Sequence, residues 1–503
     1  MMFNQILKNK AEKNYEGGES YRLTPELELY TAVVTASLSD KYYEGSDKQM
    51  QRISKLVNQV SPEFVAKLAI YTRTQMNLRS VPLLLIVLLS KIHNGDDLVA
   101  RTIEKTVLRA DEITELLMCY QLLNPSEGKK KLAKLSRQIQ NGLKLAFNRF
   151  DEYQFAKYDR NNAEVTLRDA LFLAHPKAKD AKQQALFDKI VKKELEVPYT
   201  WETELSALGQ VISKEEKTEA FRAKWEELIF SGRVGYMALL RNLRNMLNAQ
   251  ASGKAMHQVA DLLADPDQVR NSKQLPFRFL SAFREIKGME NPHTQYLMSA
   301  LEKAIKHSTT NIEGFDEQTS VLLACDVSGS MMTLLNPRSS LEYYDIGLLL
   351  AMLFKTRCKS VQSGIFGDKW KVINMPSDNI LMSTEQLKNL SNKVGYSTNG
   401  YKVIDYLIEK NREIDKVLFF TDMQMWNSDK RCSSLSKSWK RYKQQFPTSK
   451  LYLFDLCGYG QAPLKIAQPD VYLISGWSDR VFDVLSAIEK GTDAIDFISQ
   501  VKI

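Results

Sequence analysis

The chain has 503 residues, 44% of them hydrophobic, enough for substantial cores and, at about 150 residues per domain, for roughly three domains or two large ones. No run approaches the ~18 uninterrupted apolar residues that span a bilayer, and residues 1–13 carry polar groups where a secretory signal needs an apolar core, so a globular, cytoplasmic protein is expected. The formal charge is +9: residues 316–503 hold 23 Lys and Arg against 21 Asp and Glu, the remainder 46 against 39, so the basic excess lies in the first 315 residues, where it suits a polyanion such as nucleic acid without requiring one.

Residues 26–307 carry apolar side chains at helical spacing in FVAKLAIYTR, LLLIVLLSKI, ITELLMCYQLL, LRDALFLAH, YMALLRNLRNML and FRFLSAFREI, with few strand signals between them. Breakers such as Pro62, Gly95, Pro125, Gly128, Pro198, Gly232, Pro266 and Pro292 stand where helices stop or start. Many helices on short connections predict stacked pairs, an α-solenoid of the HEAT kind, although no sharp period is present. Five cysteines, an odd number with no CxxC pair, argue against a disulfide framework or a structural zinc site.

After IEGFDEQTS the texture changes. Strand-like runs VLLAC, SVQSGIFG, KVLFFT, KLYLFDL and DVYLIS alternate with helix-like runs DIGLLLAMLFKT, GYKVIDYLIEK, SLSKSWKRYKQQF and VFDVLSAIEK. That alternation predicts a doubly wound, largely parallel α/β domain over residues 316–503, following a helical module over 1–315, with ligands at the carboxyl ends of its strands.

The first strand runs into DVSGSM, which places Asp326, Ser328 and Ser330 at alternate positions around Gly329; GYSTNG puts Thr398 in a loop before a helix; KVLFFT ends in Asp422. All five are hard oxygen donors. Mg²⁺ takes about six oxygens and keeps some waters, so two carboxylates and three hydroxyls make a partial cage for Mg²⁺, or Mn²⁺, whose open position invites an acidic ligand. Taken alone, DVSGS equally suits a turn in which these side chains satisfy backbone donors; the TN and FTD segments that follow in order favour the metal.

With these segments in place the domain resembles the von Willebrand factor A fold and its metal-ion-dependent adhesion site, which implies Asp326, Ser328, Ser330, Thr398 and Asp422 as the site residues. The helical segments YTRTQMNLRSVP, KYDRN, LRDALFLAHPKA and YMALLRNL, followed by DVSGSM, resemble the TROVE module of the Ro autoantigen family, which extends into bacteria. The resemblance implies a HEAT-like ring closed by the A domain, with Y-type RNA on a basic outer surface and the single-stranded ends of misfolded RNAs in the central hole. It also implies RNA contacts at Lys157, Arg160 and His175, joined by Arg168, Lys177 and Arg241. The chain departs from the family pattern where Phe172 replaces an arginine and Leu167 a histidine, and KYDRN is one residue short, which bears on Y RNA more than on RNA in general.

Bland alternatives stand beside these. Lys157 and Arg160 also fit a solvated helix face, His175 before Pro176 fits a cap, Arg241 fits helix packing, and residues 129–138 (KKKLAKLSRQ) fit a solvated face. FDEYQFAKYDR interleaves Tyr153, Phe155 and Tyr158 with Lys157 and Arg160, as single-stranded RNA wants, yet helical spacing sends some of these rings to the core. No GxxxxGK[ST], GxSxG or HExxH occurs, and all five histidines precede the α/β domain, so no catalytic role is expected. The reading is a monomeric RNA-binding scaffold for noncoding RNA quality control or storage. Its protein partner would present a carboxylate to the metal, as an exoribonuclease could. The alternative is a metal-dependent protein-interaction adaptor without RNA.

Overall fold

Helix boundaries follow local chemistry. Ser61 accepts the Phe64 amide ahead of Pro62, and Asp151 with Gln154 and Thr166 with Asp169 close reciprocal capping boxes. The structure, a computed structural model, describes the chain apart from residues 1–10, 37–40, 42, 126–133, 161–162, 212–216, 309–314, 316–317, 338, 359, 375–377, 429–432, 467–469, 478–479 and 492. The 129–133 part of the KKKLAK run and Cys432 therefore fall outside the described residues; Cys119, Cys325, Cys358 and Cys457 carry free thiols. Two compact units form, Met1–Ile53 with Trp225–Phe497, and Ser54–Lys224 with Ile498–Ile503.

The second unit is helical. Helix Ser80–Ile92 is apolar all round and buried from Val81 to Leu89, as a helix must be when neighbours cover every face. It packs on Pro62–Thr74 and on Asp111–Leu123. Helix Arg137–Phe147 approaches Leu98–Thr106 so closely that a Cβ on Gly142 would stand 2.6 Å from the Ile103 side chain. Glu112 is fully buried, ion-paired with Arg73 at 2.8 Å, and one of its oxygens accepts the amides of Leu108 and Arg109, partners that offset the cost of burying the charge.

The first unit holds the sheets. In chain order the strands are β1 (Glu12–Lys13), β2 (Glu19–Arg22), β3 (Ser320–Asp326), β4 (Ser360–Phe366), β5 (Trp370–Val372), β6 (Lys416–Thr421), β7 (Lys450–Asp455), β8 (Gln461–Ala462) and β9 (Val471–Ser475). Six make one sheet in the order β5-β4-β3-β6-β7-β9, parallel except for β5 at the edge, with Leu322 opposite Val417 and Leu418 opposite Tyr452 in register. Helices Tyr343–Arg357, Tyr401–Glu409 and Leu435–Gln445 lie in the crossovers, and Val481–Glu489 follows the last strand, β9. The chain leaves β3 toward β4 on one side and later returns to β6 on the other, so the carboxyl ends of β3 and β6 flank a topological switch point, where open α/β sheets bind ligands. Helices from Tyr236–Asn248 to Thr294–His307 belong to this same unit.

A second sheet, β1-β2-β8, is antiparallel and stitches residues near the start of the chain to β8 through Tyr21 opposite Ala462. Helix Pro25–Val34 follows it, with Tyr30 donating to the Ser475 carbonyl. Arg52 reaches Glu44, Glu28 and the Gly458 carbonyl. Gly458 has φ +64, and a Cβ there would stand 2.3 Å from the Thr35 hydroxyl, so only glycine fits. Among the described residues no helix is long and apolar enough to cross a membrane.

Candidate functional site

β3 is buried on both faces until Asp326, which is 1% exposed at the end of the strand. One carboxylate oxygen accepts the Ser328 amide at 2.9 Å and the other the Thr421 hydroxyl at 2.6 Å, so its own turn and the neighbouring strand both fix it. The buried hydroxyls of Ser328 and Ser330 lie 3.3 Å apart, the latter in the 3₁₀ turn Gly329–Met332. The Gly329 amide donates to the Tyr396 carbonyl at 3.0 Å, and the Trp426 amide to the Thr398 carbonyl at 3.2 Å. Buried Thr398 thus sits on a loop tied to the DVSGS turn on one side and to the residues after β6 on the other.

Asp422 follows β6 and is fully buried. Its Oδ1 accepts the Gln424 amide at 3.0 Å, and the Ser330 hydroxyl faces the same carboxyl group. Among the described residues Oδ2 has no hydrogen-bond partner. The turn reading explains the bond from the Ser328 amide to Asp326 but leaves this oxygen orphaned, which costs free energy unless something electropositive meets it. Burial raises the Asp326 carboxyl, and the Asp422 charge adds to the shift. Asp422 is raised mainly by burial against hydrogen bonds that lower it. Two buried carboxyls and a pair of hydroxyls, all oxygen, fit a hard divalent cation. No cluster of three His, Cys, Asp or Glu suited to a metal occurs among the described residues, so the mixed carboxylate and hydroxyl set is the candidate.

The loop holding Thr398 depends on a glycine outside the motif. The Gly367 carbonyl accepts the Asn399 amide at 3.0 Å, and a Cβ on Gly367 would come within 2.0 Å of the Gly395 carbonyl oxygen. Gly367→Ala should push the loop away and destabilise the protein by about 1–3 kcal/mol. A denaturant midpoint equal to wild type would refute that clash.

The candidate RNA residues divide between the units. Lys157, Arg160, Arg168, His175 and Lys177 are all exposed in the helical unit, whereas Arg241 lies on helix Tyr236–Asn248 of the other. Lys157 Nζ is 5.7 Å from the rings of both Tyr153 and Tyr158, Arg109 lies 4.6 Å over Tyr158, and Arg168 lies 5.5 Å from Phe172. Tyr153 and Phe172 are about half exposed while Phe155 is wholly buried, which divides the interleaved aromatics into surface and core. His175 has φ 48 and ends helix Leu167–Ala174 in the left-handed conformation, so it is a cap as well as an exposed imidazole. Leu167, at the family's histidine position, is in the core. Arg241 stands beside Arg278, whose guanidinium is lowered by burial and by the Arg241 charge. Asn242 is buried and Arg244 pairs with Glu285 at 3.1 Å, so the RN dipeptide packs as well as presents charge. Gln424 and Arg278 join these sites without any motif to mark them.

The family model for the TROVE domain matches residues 30–196 and 191–319, and that for the Ro60 vWA domain matches residues 320–488. Telomerase protein component 1 of Mus musculus is 24% identical over 310 residues, covering 46% of this chain and 11% of that protein. Its Rattus norvegicus counterpart is 24% identical over 344 residues, covering 52% and 13%. The chain thus spans little more than a tenth of the length of these relatives. The crystal structure of the Deinococcus radiodurans RO (RSR) protein superimposes with a TM-score of 0.58 at 16% identity, over 93% of this chain and all of that one, a likeness of fold.

Proposed function

Because the chain belongs to the TROVE-domain proteins and carries a von Willebrand A domain of the Ro60 type, a family known for RNA binding, we propose that it binds noncoding RNA through its helical unit and acts as a scaffold in RNA quality control or storage. The observation that carries this reading is the pairing of exposed cations with exposed rings around Lys157, Tyr153, Arg168 and Phe172. Cations neutralise phosphate, and half-exposed rings offer platforms to unstacked bases, the two things a single strand needs. Phe172 in place of a cation suits base stacking more than phosphate contact.

For single strands the log–log salt slope is roughly 0.7 per neutralised phosphate, so replacing Lys157 and Arg160 together by alanine should weaken binding to tailed, structured RNA and make the slope shallower by about 1.4. Mobility shift across a salt series, on protein matched by circular dichroism, provides the check. Unchanged affinity and slope would place the RNA elsewhere. Failure of the wild type to bind RNA at low salt would favour the adaptor reading.

In the α/β domain, Asp326, Ser328, Ser330, Thr398 and Asp422 would hold Mg²⁺ or Mn²⁺. When bound, such a cation supplies an electropositive position for a carboxylate from a protein partner. The orphaned Asp422 Oδ2 supports this reading.

A further inference from the structure

Thr398 stands on an irregular loop, whereas Asp326 ends β3 and Asp422 follows β6, so its place beside them depends on whatever fixes that loop. The next residue does so. Asn399 is fully buried, and its side chain uses its donors and its acceptor alike. Nδ2 donates to the Ser428 hydroxyl at 2.6 Å and to the Asp368 carbonyl at 3.2 Å, while Oδ1 accepts the Ser428 amide at 3.0 Å. The Asn399 backbone amide adds a bond to the Gly367 carbonyl at 3.0 Å.

Three segments meet on this one residue. Gly367 and Asp368 belong to the turn between β4 and β5, and Ser428 lies on the segment that leaves β6 through Asp422. The same turn holds the other neighbour of Thr398, since the Asp368 carboxylate accepts the Ser397 amide at 2.8 Å. From the β6 side the Trp426 amide reaches the Thr398 carbonyl at 3.2 Å. Asp422 is fixed independently, by its strand and by the Gln424 amide on its Oδ1 at 3.0 Å. Asn399 thus ties the Thr398 loop to a segment already in place. Aspartate here would lose both donors and bury a charge, and glutamine would be one methylene too long for so enclosed a side chain.

We propose that Asn399 is a positioning residue for the candidate metal centre, holding Thr398 in place against Asp326 and Asp422 through its reciprocal pair with Ser428. The proposal rests on the metal reading above and deepens it. Mg²⁺ demands near-ideal geometry, with oxygens at about 2.0–2.1 Å, so a loop free to drift by about an ångström forfeits its hydroxyl as a ligand.

The test is calorimetric titration of Mn²⁺ into the full chain, its Asn399→Ala, Ser428→Ala and Thr398→Val variants, and the Asn399→Ala, Thr398→Val double variant. Thermal melts in EDTA report whether each one folds. Asn399→Ala should bind Mn²⁺ about tenfold more weakly than the wild type. Ser428→Ala, which removes one of the acceptors, should show a smaller loss in the same direction. Added to Thr398→Val, Asn399→Ala should cost less than about twofold more, because a residue that acts through Thr398 then has nothing left to position. A tenfold loss in both backgrounds would show a general loosening of the domain and overturn the proposal. Wild-type affinity in Asn399→Ala, or in Thr398→Val, would overturn it too, and the metal reading would stand if Asp326→Ala still lost the ion. Should Asn399→Ala fail to fold, Ser428→Ala decides, and wild-type affinity there counts against the clamp. A wild type that takes up no Mn²⁺ removes the metal reading, and this proposal with it.

Discussion

Asp326→Ala is expected to abolish uptake of Mg²⁺ or Mn²⁺ while leaving the fold in place. The substitution removes one of the two charges deepest in the site and leaves the Ser328 amide and Thr421 hydroxyl without their acceptor, a cost of about 1–3 kcal/mol. It also relieves the repulsion between Asp326 and Asp422, so the net change in stability is small. The cation loses much more, because Mg²⁺ holds protein sites through carboxylates and hydroxyls alone cannot replace them. Calorimetry decides the matter, and equal binding by wild type and variant would end the assignment.

The same pair predicts a pH dependence. Both carboxyls are raised above their ordinary range in the folded chain. Without a cation, the folded state holds protons that the unfolded state releases above pH ~4, so the pair's contribution to stability is present at low pH and lost as pH rises through the raised values. A bound cation offsets that loss, and protons compete with it. The rise in melting temperature produced by Mn²⁺ should therefore be larger at alkaline than at acidic pH.

Arg284→Ala is expected to destabilise the first unit by about 3–5 kcal/mol. Arg284, on helix Pro276–Ile286, grips Asp345 with two bonds of 2.8 and 2.6 Å, meets Glu385 at 2.5 Å and donates to the Ser340 carbonyl at 2.9 Å. Asp345 is fully buried near the start of helix Tyr343–Arg357, where it also accepts the Glu342 amide at 2.8 Å. Truncating the arginine strands that carboxylate, and lysine cannot reproduce the fork, so Arg284→Lys should recover only part of the loss. Urea titration followed by tryptophan fluorescence measures it; a midpoint shift worth under ~1 kcal/mol, the level of a surface pair, would show that the contact contributes little.

Four of the five long strands of the α/β domain, β3, β6, β7 and β9, were legible because each is largely a continuous apolar run, and the polar groups at the ends of β3 and β6 stood out against it. Asp326, the two serines and Asp422 could therefore be located at strand ends from the sequence alone. Strands β1, β2, β5 and β8 could not, since two to four residues are too few to express a period of two. Helical periodicity showed that helices between residues 225 and 307 bury one face but not which neighbours cover it. It allowed that some of Tyr153, Phe155 and Tyr158 were core without telling that Phe155 was the one. Gln424 lay beyond reach for a different reason: its bond from the Tyr15 amide joins segments some 400 residues apart, and no local pattern encodes a contact of that span.

The stitching of β2 to β8 has a consequence for biosynthesis. Helix Pro25–Val34 leaves the ribosome well before its partner: its buried residues, Leu29 to Val34, pack where Tyr30 bonds to Ser475, 445 positions later. At roughly 5–20 residues per second the helix waits on the order of 20–90 seconds for its partner to be translated. During that interval its apolar side is open to water, to chaperones and to other nascent chains. Closure of the seam is thus a late event in folding.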